Sequence, residues 1–195
     1  GVAIHSSNCY LLQQFFSAQS NQRTDEYGGS HENRARFFCE VLDAIGQVMP
    51  LNRVGFRLNP MLNRFHGLKV DEDTVPMWEH VVRRANTYGL AFLHLTEPLH
   101  AKQVEHTPGA LLDVGAHFRP IASMPIITNG GLDQARGEAR LAANLCDAVA
   151  YGKAWIANPD LVERFRLGAA LNEADASTFY QGGEHGYIDY PTLAA

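Results

Sequence analysis

Three polar side chains follow an apolar run at the start of the sequence. His5, Asn8 and Tyr10 come directly after Gly1–Ile4, a run with the composition of a buried strand. Imidazole and phenol groups can transfer protons, and barrel enzymes place such groups at the carboxyl ends of their strands. The spacing of three brings His5 and Asn8 to one side if the chain turns just after the strand. The pattern therefore predicts a catalytic edge at the end of the first strand.

Two later segments contain glycines that suit a phosphate site. Thr128-Asn-Gly-Gly131 follows the fourth apolar run, and Tyr151-Gly-Lys153 follows the fifth. Backbone amides of two consecutive late β/α loops, each leading into a helix, form the usual phosphate site of a barrel. An Asn-Gly pair is also common in plain turns. Both interpretations stay open for the first segment, and the second segment favours phosphate binding.

Short apolar runs alternate with helical patterns, and these elements must position the polar groups. Within these runs, polar residues do not alternate regularly with apolar ones, which is typical of strands buried on both faces of a parallel sheet. The predicted strands are Gly1–Ile4, Arg53–Leu58, Ala91–Leu95, Pro125–Thr128 and Asp147–Tyr151. Apolar residues at helical spacing predict a first helix around Phe37–Ile45 and a second around Val75–Ala85, with Asp73 as its N-cap and Gly89 as its stop. Further helices are predicted at Gly109–His117, Asp133–Ala143 and Pro159–Gly168, the last capped by Asn158.

The position of the glycines favours one α/β architecture over another. A dinucleotide-binding, doubly wound sheet would carry Gly-x-Gly-x-x-Gly after an early strand, whereas the glycine segments here come late. We therefore predict a (β/α)8 TIM barrel of which about five β/α units are present. An open doubly wound sheet of five strands is the alternative. Residues 1–195 contain no internal boundary or repeat and are predicted to form a single domain.

Composition excludes several classes of protein. The chain has 195 residues, of which 46% are hydrophobic and 19% charged, so it is globular rather than disordered. A net charge of -5 argues against binding to nucleic acid or acidic membranes. No secretory signal or membrane-spanning run is visible. Three widely spaced cysteines suit a reducing, cytoplasmic location, and neither they nor the histidines are spaced as metal ligands.

Motifs in a fixed order along nearly the whole chain resemble those of the Old Yellow Enzyme family of flavin ene-reductases. The likeness begins with the segment from Gly1 to Phe37. This segment includes Ser20-Asn-Gln-Arg-Thr-Asp-Glu-Tyr-Gly-Gly29 and Glu32-Asn-Arg-Ala-Arg-Phe37. Further matching segments are Val54-Gly-Phe-Arg-Leu-Asn-Pro60, Leu93-His-Leu-Thr-Glu-Pro98, Ile127-Thr-Asn-Gly-Gly131, Ala150 to Leu161, Phe179 to Gly183 and Asp189-Tyr-Pro191. The resemblance implies that this chain corresponds to the fourth to eighth strands of an FMN-binding barrel and to its carboxyl-terminal tail. The first three strands of that barrel have no counterpart here.

The resemblance implies catalytic roles for His5, Asn8 and Tyr10. His5 and Asn8 match the pair that donates hydrogen bonds to the carbonyl or nitro oxygen of an activated alkene substrate. Negative charge grows on that oxygen as hydride reaches the far alkene carbon, so such donors are needed. Tyr10 matches the proton donor to the other alkene carbon, because a phenol is protonated at neutral pH. Tyr180 matches a residue near the substrate.

The resemblance assigns cofactor binding to one arginine, two loops and two aromatic residues of the tail. A fixed cation beside the flavin stabilises its anionic reduced form. The matching residues are Arg57, Asn129, Gly130, Gly131, Gly152, Lys153, Phe179 and Tyr180. Two departures stand out. Lys153 replaces a usual arginine and loses its bidentate fork for phosphate, and Cys9 replaces a usual glycine, which strains the turn if φ is positive there.

Three functional hypotheses follow. The first is an FMN-dependent oxidoreductase that uses NADH or NADPH to reduce enones, maleimides or nitroalkenes. The second is a half-barrel that does not hold FMN alone, because five strands leave two open edges. Self-association or pairing with a complementary amino-terminal half would cover those edges, and the chain would then be part of a longer or two-part enzyme. The third, a different phosphate-binding barrel enzyme, does not explain His5, Asn8 and Tyr10 together.

Overall fold

The computed structural model describes residues 1–62, 66–98, 107, 109–180 and 183–193. The chain forms two compact units, Gly1–Val149 and Ala150–Ala195. The first unit contains a five-stranded parallel sheet with helices between its strands, and the second contains two short helices followed by the tail. The interpretation of residues 1–195 as one domain stays a prediction.

The five predicted strands are confirmed, each beginning one residue later than predicted. They are β1 Val2–His5, β2 Val54–Leu58, β3 Phe92–Thr96, β4 Ile126–Asn129 and β5 Ala148–Val149. The fifth is shorter than the predicted Asp147–Tyr151. The Asp147 carboxylate accepts a hydrogen bond of 2.7 Å from the backbone N–H of Ile126, so Asp147 binds the first residue of β4 through its side chain.

The order of the strands decides between the two architectures considered. Neighbouring strands pair in the sequence β1-β2-β3-β4-β5, and all four pairs are parallel. A doubly wound sheet reverses its strand order at a switch point, and this sheet does not reverse within the described residues. Strands that follow one another in chain order are those of a (β/α)8 barrel. The sheet is therefore a run of five consecutive β/α units of an incomplete barrel.

Helices connect the strands of the first unit and open the second. The first unit contains α1 Leu11–Phe16, α2 His31–Gly46, α3 Thr74–Ala85, α4 Val114–Phe118 and α5 Gln134–Ala142, and the second contains α6 Lys153–Ala157 and α7 Leu161–Leu167. The predicted helices are present, and α1 and α6 were not predicted. At the start of α3, Asp73 holds the cap position, but its carboxylate pairs with Arg34 and His31 instead of capping. Gly89 adopts the left-handed conformation expected of a stop.

Two predicted helix starts are wrong. The third helix begins at Val114 rather than Gly109, because the Asp113 carboxylate accepts a hydrogen bond from the N–H of Ala116 and fixes the first turn there. The last helix begins at Leu161, with Asp160 rather than Asn158 at the cap position. The Asn158 side chain instead binds the carbonyl oxygen of Ala154 and the N–H of Asn172, so it is not available as a cap.

The two faces of the sheet differ in burial. One face carries Phe56, Leu93 and Ile126, which are fully buried among the apolar side chains of α2, α3 and α4. The opposite, inner face carries Phe92 and Ile127, which are only half-buried. The prediction that the strands are buried on both faces is thus wrong for this chain, since its inner face stays partly open.

Candidate active site

Three cationic or proton-transferring side chains form a row across the inner face. His5 at the end of β1 is in register with Arg57 of β2, and Arg57 is in register with His94 of β3. Side chains in register on neighbouring parallel strands project to the same side of a sheet. The row therefore runs from the carboxyl end of β1 to the middle of β3, because His5 ends its strand and His94 is the third of five residues in β3. Its β1 end lies where the sequence predicted the chemistry.

A tight turn after β1 presents Asn8 and Tyr10. Asn8 and Cys9 both have left-handed backbones, with φ of 57° and 61°. The turn brings the ring of Tyr10 to 5.5 Å from that of His5, measured between centroids. Tyr10 is exposed, and Cys9 is buried. Cys9 thus occupies a conformation that favours glycine, as the conditional prediction for this position anticipated.

The amide of Asn8 is oriented by a residue that sequence reasoning missed. Nδ2 of Asn59, which follows β2, donates a hydrogen bond of 2.9 Å to Oδ1 of Asn8. An asparagine amide has one oxygen acceptor and one NH2 donor group. Because Asn59 holds the oxygen, the NH2 group of Asn8 is directed away from it and remains a donor. Asn59 follows a strand and lies in the matching segment from Val54 to Pro60, but neither signal indicates a contact with Asn8.

Arg57 is half-buried and incompletely hydrogen-bonded. Its Nη2 donates to Oγ1 of Thr96 at 3.2 Å, and its Nε has no hydrogen-bond partner among the described residues. Burial lowers the pKa of Arg57, and no carboxylate pairs with it in the described part of the chain. A guanidinium that is partly removed from water without an acidic partner suits an electron-rich or anionic ligand. Thr96 is a second residue that sequence reasoning missed.

His5 and His94 lie on either side of this charge. Partial burial, followed by the charge of Arg57, lowers the pKa of His5. The same two causes lower the pKa of His94 to about 4, so its imidazole is neutral at neutral pH. Nε2 of His94 donates to Oδ1 of Asn129 across 3.2 Å. His94 alternates with Leu93 and Leu95, which are fully buried in the core, so its side chain lies on the inner face.

The loop after β4 requires its two glycines. Gly130 and Gly131 have φ of 124° and 61°. A Cβ atom on Gly130 would lie 2.6 Å from the carbonyl oxygen of Glu97, closer than packing allows. The loop leads into α5, where the Asp133 carboxylate caps the first turn by accepting from the N–H of Arg136. A loop without side chains at these two positions also leaves its backbone accessible to a phosphate.

The remaining predicted residues belong to the second unit. Gly152 holds the position before α6, and Lys153 is the exposed first residue of that helix. Phe179 and Tyr180 follow a short 3-10 helix, with their rings edge to face at 6.4 Å between centroids. Tyr180 is almost fully exposed. The roles of these four residues in one site with the first unit stay predictions.

The sequence matches the NADH:flavin oxidoreductase / NADH oxidase family over residues 1–172. The chain belongs to this family. Curated relatives in the family include a putative 12-oxophytodienoate reductase 4 of Oryza sativa subsp. japonica, 40% identical over 99% of this chain. Another is a probable flavin mononucleotide-dependent alkene reductase of Leishmania infantum, 39% identical over 99% of the chain. The match to both covers 50% of the relative, so the chain spans about half the length of the curated relatives it matches.

Solved structures of the family give the same picture. Morphinone reductase in complex with tetrahydroNAD is 45% identical, with a TM-score of 0.86 over 98% of this chain and 50% of its own. The old yellow enzyme from Trypanosoma cruzi is 32% identical, with a TM-score of 0.86 over 100% of this chain and 50% of its own. The fold is that of the carboxyl-terminal half of an Old Yellow Enzyme barrel, which confirms the predicted family and the incomplete barrel.

The helices of the described residues are too short or too polar for a membrane span. Two of the histidines whose spacing does not indicate a metal site, His100 and His106, lie outside the described residues.

Proposed function

We propose that this chain is the carboxyl-terminal part of an FMN-dependent oxidoreductase. In this proposal, NADH or NADPH provides the electrons, and enones, maleimides or nitroalkenes are reduced at their C=C bond. The observation that carries the proposal is the half-buried guanidinium of Arg57, which lacks an acidic partner among the described residues and lies in register between His5 of β1 and His94 of β3. The buried thiols of Cys9, Cys39 and Cys146 fit a cytoplasmic location.

Two features of the first unit fit an FMN molecule. The Nε–H of Arg57 is left to donate to an acceptor on the flavin ring. A side chain at position 130 would collide with Glu97, so this part of the loop presents only its backbone. The proposed binding residues are Arg57, Asn129, Gly130, Gly131, Gly152, Lys153, Phe179 and Tyr180. FMN, when bound, supplies the hydride that reduces the alkene. Because Lys153 provides a point charge rather than a fork, the loop amides would carry most of the geometric selectivity for phosphate.

His5 and Asn8 would bind the carbonyl or nitro oxygen of the substrate. Because burial and Arg57 lower the pKa of His5, its imidazole is neutral and donates a single N–H. Asn59 keeps the oxygen of the Asn8 amide occupied, so its NH2 group is the part left to donate. Two such donors stabilise the negative charge that develops on the substrate oxygen.

Tyr10 would protonate the second alkene carbon. Its ring lies next to that of His5, so the proton donor and one of the two hydrogen-bond donors to the substrate oxygen are on the same side of the turn. The exposure of Tyr10 leaves its hydroxyl accessible to a substrate and to water that restores the proton. Substrate contact by Tyr180 is part of the same proposal.

A second candidate is a half-barrel that requires a partner to hold FMN. The chain spans about half of its relatives, and the inner face that carries Arg57 is only partly covered. A complementary amino-terminal half or a second copy of the chain would then complete the site. In that case the activity belongs to the assembly.

Titration of the purified chain with FMN, followed by quenching of flavin fluorescence, tests the proposal. We expect binding that Arg57→Gln weakens by roughly tenfold or more, because a charge-assisted hydrogen bond is lost. Arg53→Gln, an exposed arginine just before the same strand, is the matched control and should leave the affinity unchanged. Failure of the unaltered chain to bind FMN would favour the half-barrel candidate.

Tyr10→Phe tests the proton donor. We expect alkene reduction by the FMN-loaded chain to fall about a hundredfold, because general acid catalysis contributes at least that much. Oxidation of NADH by the loaded chain should continue, since no proton transfer from Tyr10 is involved. Tyr27→Phe removes a hydroxyl bound to Glu40 and is expected to have no effect. Unchanged alkene reduction by Tyr10→Phe would rule out the assignment.

A further inference from the structure

The turn that carries Asn8 and Tyr10 is built against the conformational preference of its sequence. The N–H of Tyr10 donates to the carbonyl oxygen of Ser7 at 3.2 Å, and the two residues between them, Asn8 and Cys9, are both left-handed. Turns with two left-handed residues favour Asn followed by Gly. Asn8 satisfies the first preference, and Cys9, with its Cβ atom, opposes the second. Something outside the turn must therefore stabilise Cys9.

Two consecutive glutamines of α1 hold the backbone of Cys9 on both sides. Oε1 of Gln13 accepts a hydrogen bond from the Cys9 N–H at 2.8 Å. Nε2 of Gln14 donates to the Cys9 carbonyl oxygen at 2.7 Å. Gln13 is only 7% exposed, so its contact is shielded from water. Both backbone polar groups of Cys9 are thus bound by side chains of one short helix.

We infer that Gln13 and Gln14 are positioning residues that hold the Asn8–Cys9 turn in its left-handed conformation and so align Asn8 and Tyr10 on the side of His5. This inference rests on the proposed function for its catalytic consequence. Cys9 lies between the oxygen-binding amide and the proton donor, so a rotation of its backbone moves one relative to the other. Neither glutamine touches the substrate in this scheme.

The direction of each hydrogen bond allows a matched pair of substitutions. Gln13→Glu keeps an oxygen acceptor for the Cys9 N–H, whereas Gln14→Glu replaces the donor to the Cys9 carbonyl with an acceptor. The inference therefore expects the same chemical change to be tolerated at position 13 and harmful at position 14. Gln13→Leu removes the acceptor and should behave like Gln14→Glu.

Amide hydrogen exchange and turnover report the outcome on the full chain. In Gln13→Leu we expect exchange at the Cys9 N–H to accelerate about tenfold, the effect of losing one buried hydrogen bond. The kcat for alkene reduction by the FMN-loaded chain should fall roughly tenfold, because reacting groups that are misplaced by a fraction of an ångström react more slowly. Gln13→Glu should restore both values.

The decisive variant is Cys9→Gly. Glycine adopts the left-handed conformation without penalty, so the turn no longer depends on the glutamines. The double variant Cys9→Gly with Gln13→Leu should retain kcat to within about threefold of Cys9→Gly alone, a coupling that independent residues do not show. A loss of kcat on replacing Gln13 that is as large with glycine as with cysteine at position 9 would overturn the inference.

The exchange measurement separates failure of this inference from failure of the proposed function. If the unaltered chain reduces no alkene with FMN, the proposed function fails, and the exchange rates alone decide whether the glutamines hold the turn. If alkene reduction is present but exchange at Cys9 is the same in Gln13→Leu and the unaltered chain, the positioning role is wrong.

Discussion

His94 is a half-buried base whose protonation is opposed by its surroundings. Burial and the charge of Arg57 lower its pKa to about 4, whereas an unfolded histidine titrates near about 6.5. Between these values the unfolded chain binds the proton and the folded chain does not. The free energy of unfolding therefore falls as the pH drops from about 6.5 to about 4, by roughly 1–2 kcal/mol from this partly exposed group.

Urea unfolding at a series of pH values tests this prediction. His94→Gln is the matched control, because its side-chain amide can donate to the same Asn129 oxygen without titrating. We expect the unaltered chain to lose more stability than His94→Gln over this pH range. An equal loss in both proteins would show that His94 does not carry the effect.

The grouping of the proposed catalytic residues was predictable, but the side chain that orients Asn8 was not. His5, Asn8, Tyr10 and Arg57 stand at strand ends in a recognisable order, and the structure brings them to one edge of the sheet. Asn59 contacts Asn8 from a position 51 residues further along the chain. Such a contact depends on register between strands, which the local pattern of a sequence does not specify.

At the scale of elements, one carboxylate joins the ends of β3, α4 and α5. Glu97 accepts hydrogen bonds from the N–H groups of Val114 and Gly115 and forms an ion pair with Arg140 at 2.6 Å. The Glu97 side chain is only 7% exposed. The backbone of the same residue also determines that position 130 must be glycine. This junction therefore supports the loop proposed to bind phosphate.

Arg140→Gln is predicted to destabilise the protein strongly. It removes the charge that compensates buried Glu97, which costs about 3 kcal/mol in comparable buried pairs. Arg136→Gln in the same helix is the control, because Arg136 is 62% exposed in its pair with Asp133 and should contribute less than about 1 kcal/mol. Urea unfolding of both variants provides the comparison, and similar losses in the two would contradict a special role for the Glu97 junction.

Element types were more predictable than element boundaries. The long helices α2 and α3 show clear apolar periodicity, whereas α1 and α6 span only Leu11–Phe16 and Lys153–Ala157. Helices of little more than one turn offer too few residues for a periodic pattern to emerge. The start of α4 at Val114 is fixed by the Asp113 carboxylate, a residue that the prediction from apolar spacing had placed inside the helix.

At the scale of the whole molecule, the strand order was predictable, and the open inner face follows from the half-barrel hypothesis but not from the composition of the strands. Late glycine loops indicated a barrel, and consecutive pairing from β1 to β5 agrees. Strongly apolar strands indicated burial on both faces, but half of the family barrel is needed to cover the inner one. Phe92 and Ile127 are thus apolar residues suited to a closed barrel interior, although they are only half-buried in the five-stranded sheet of this chain.

The uncovered edges predict self-association of the isolated chain. In the part of the chain that the structure describes, β1 pairs only with β2, and Val2 in this edge strand is 47% exposed. Unpaired strand edges with apolar side chains recruit other strands. We expect light scattering to show an average mass that rises with concentration, and Val2→Lys to lower it, because a charge on an edge strand opposes pairing.

Val48→Lys, at a residue 83% exposed outside the sheet, should leave the mass unchanged. A mass equal to one chain at every concentration would contradict the prediction, and an equal effect of both lysines would assign association to net charge rather than to the β1 edge.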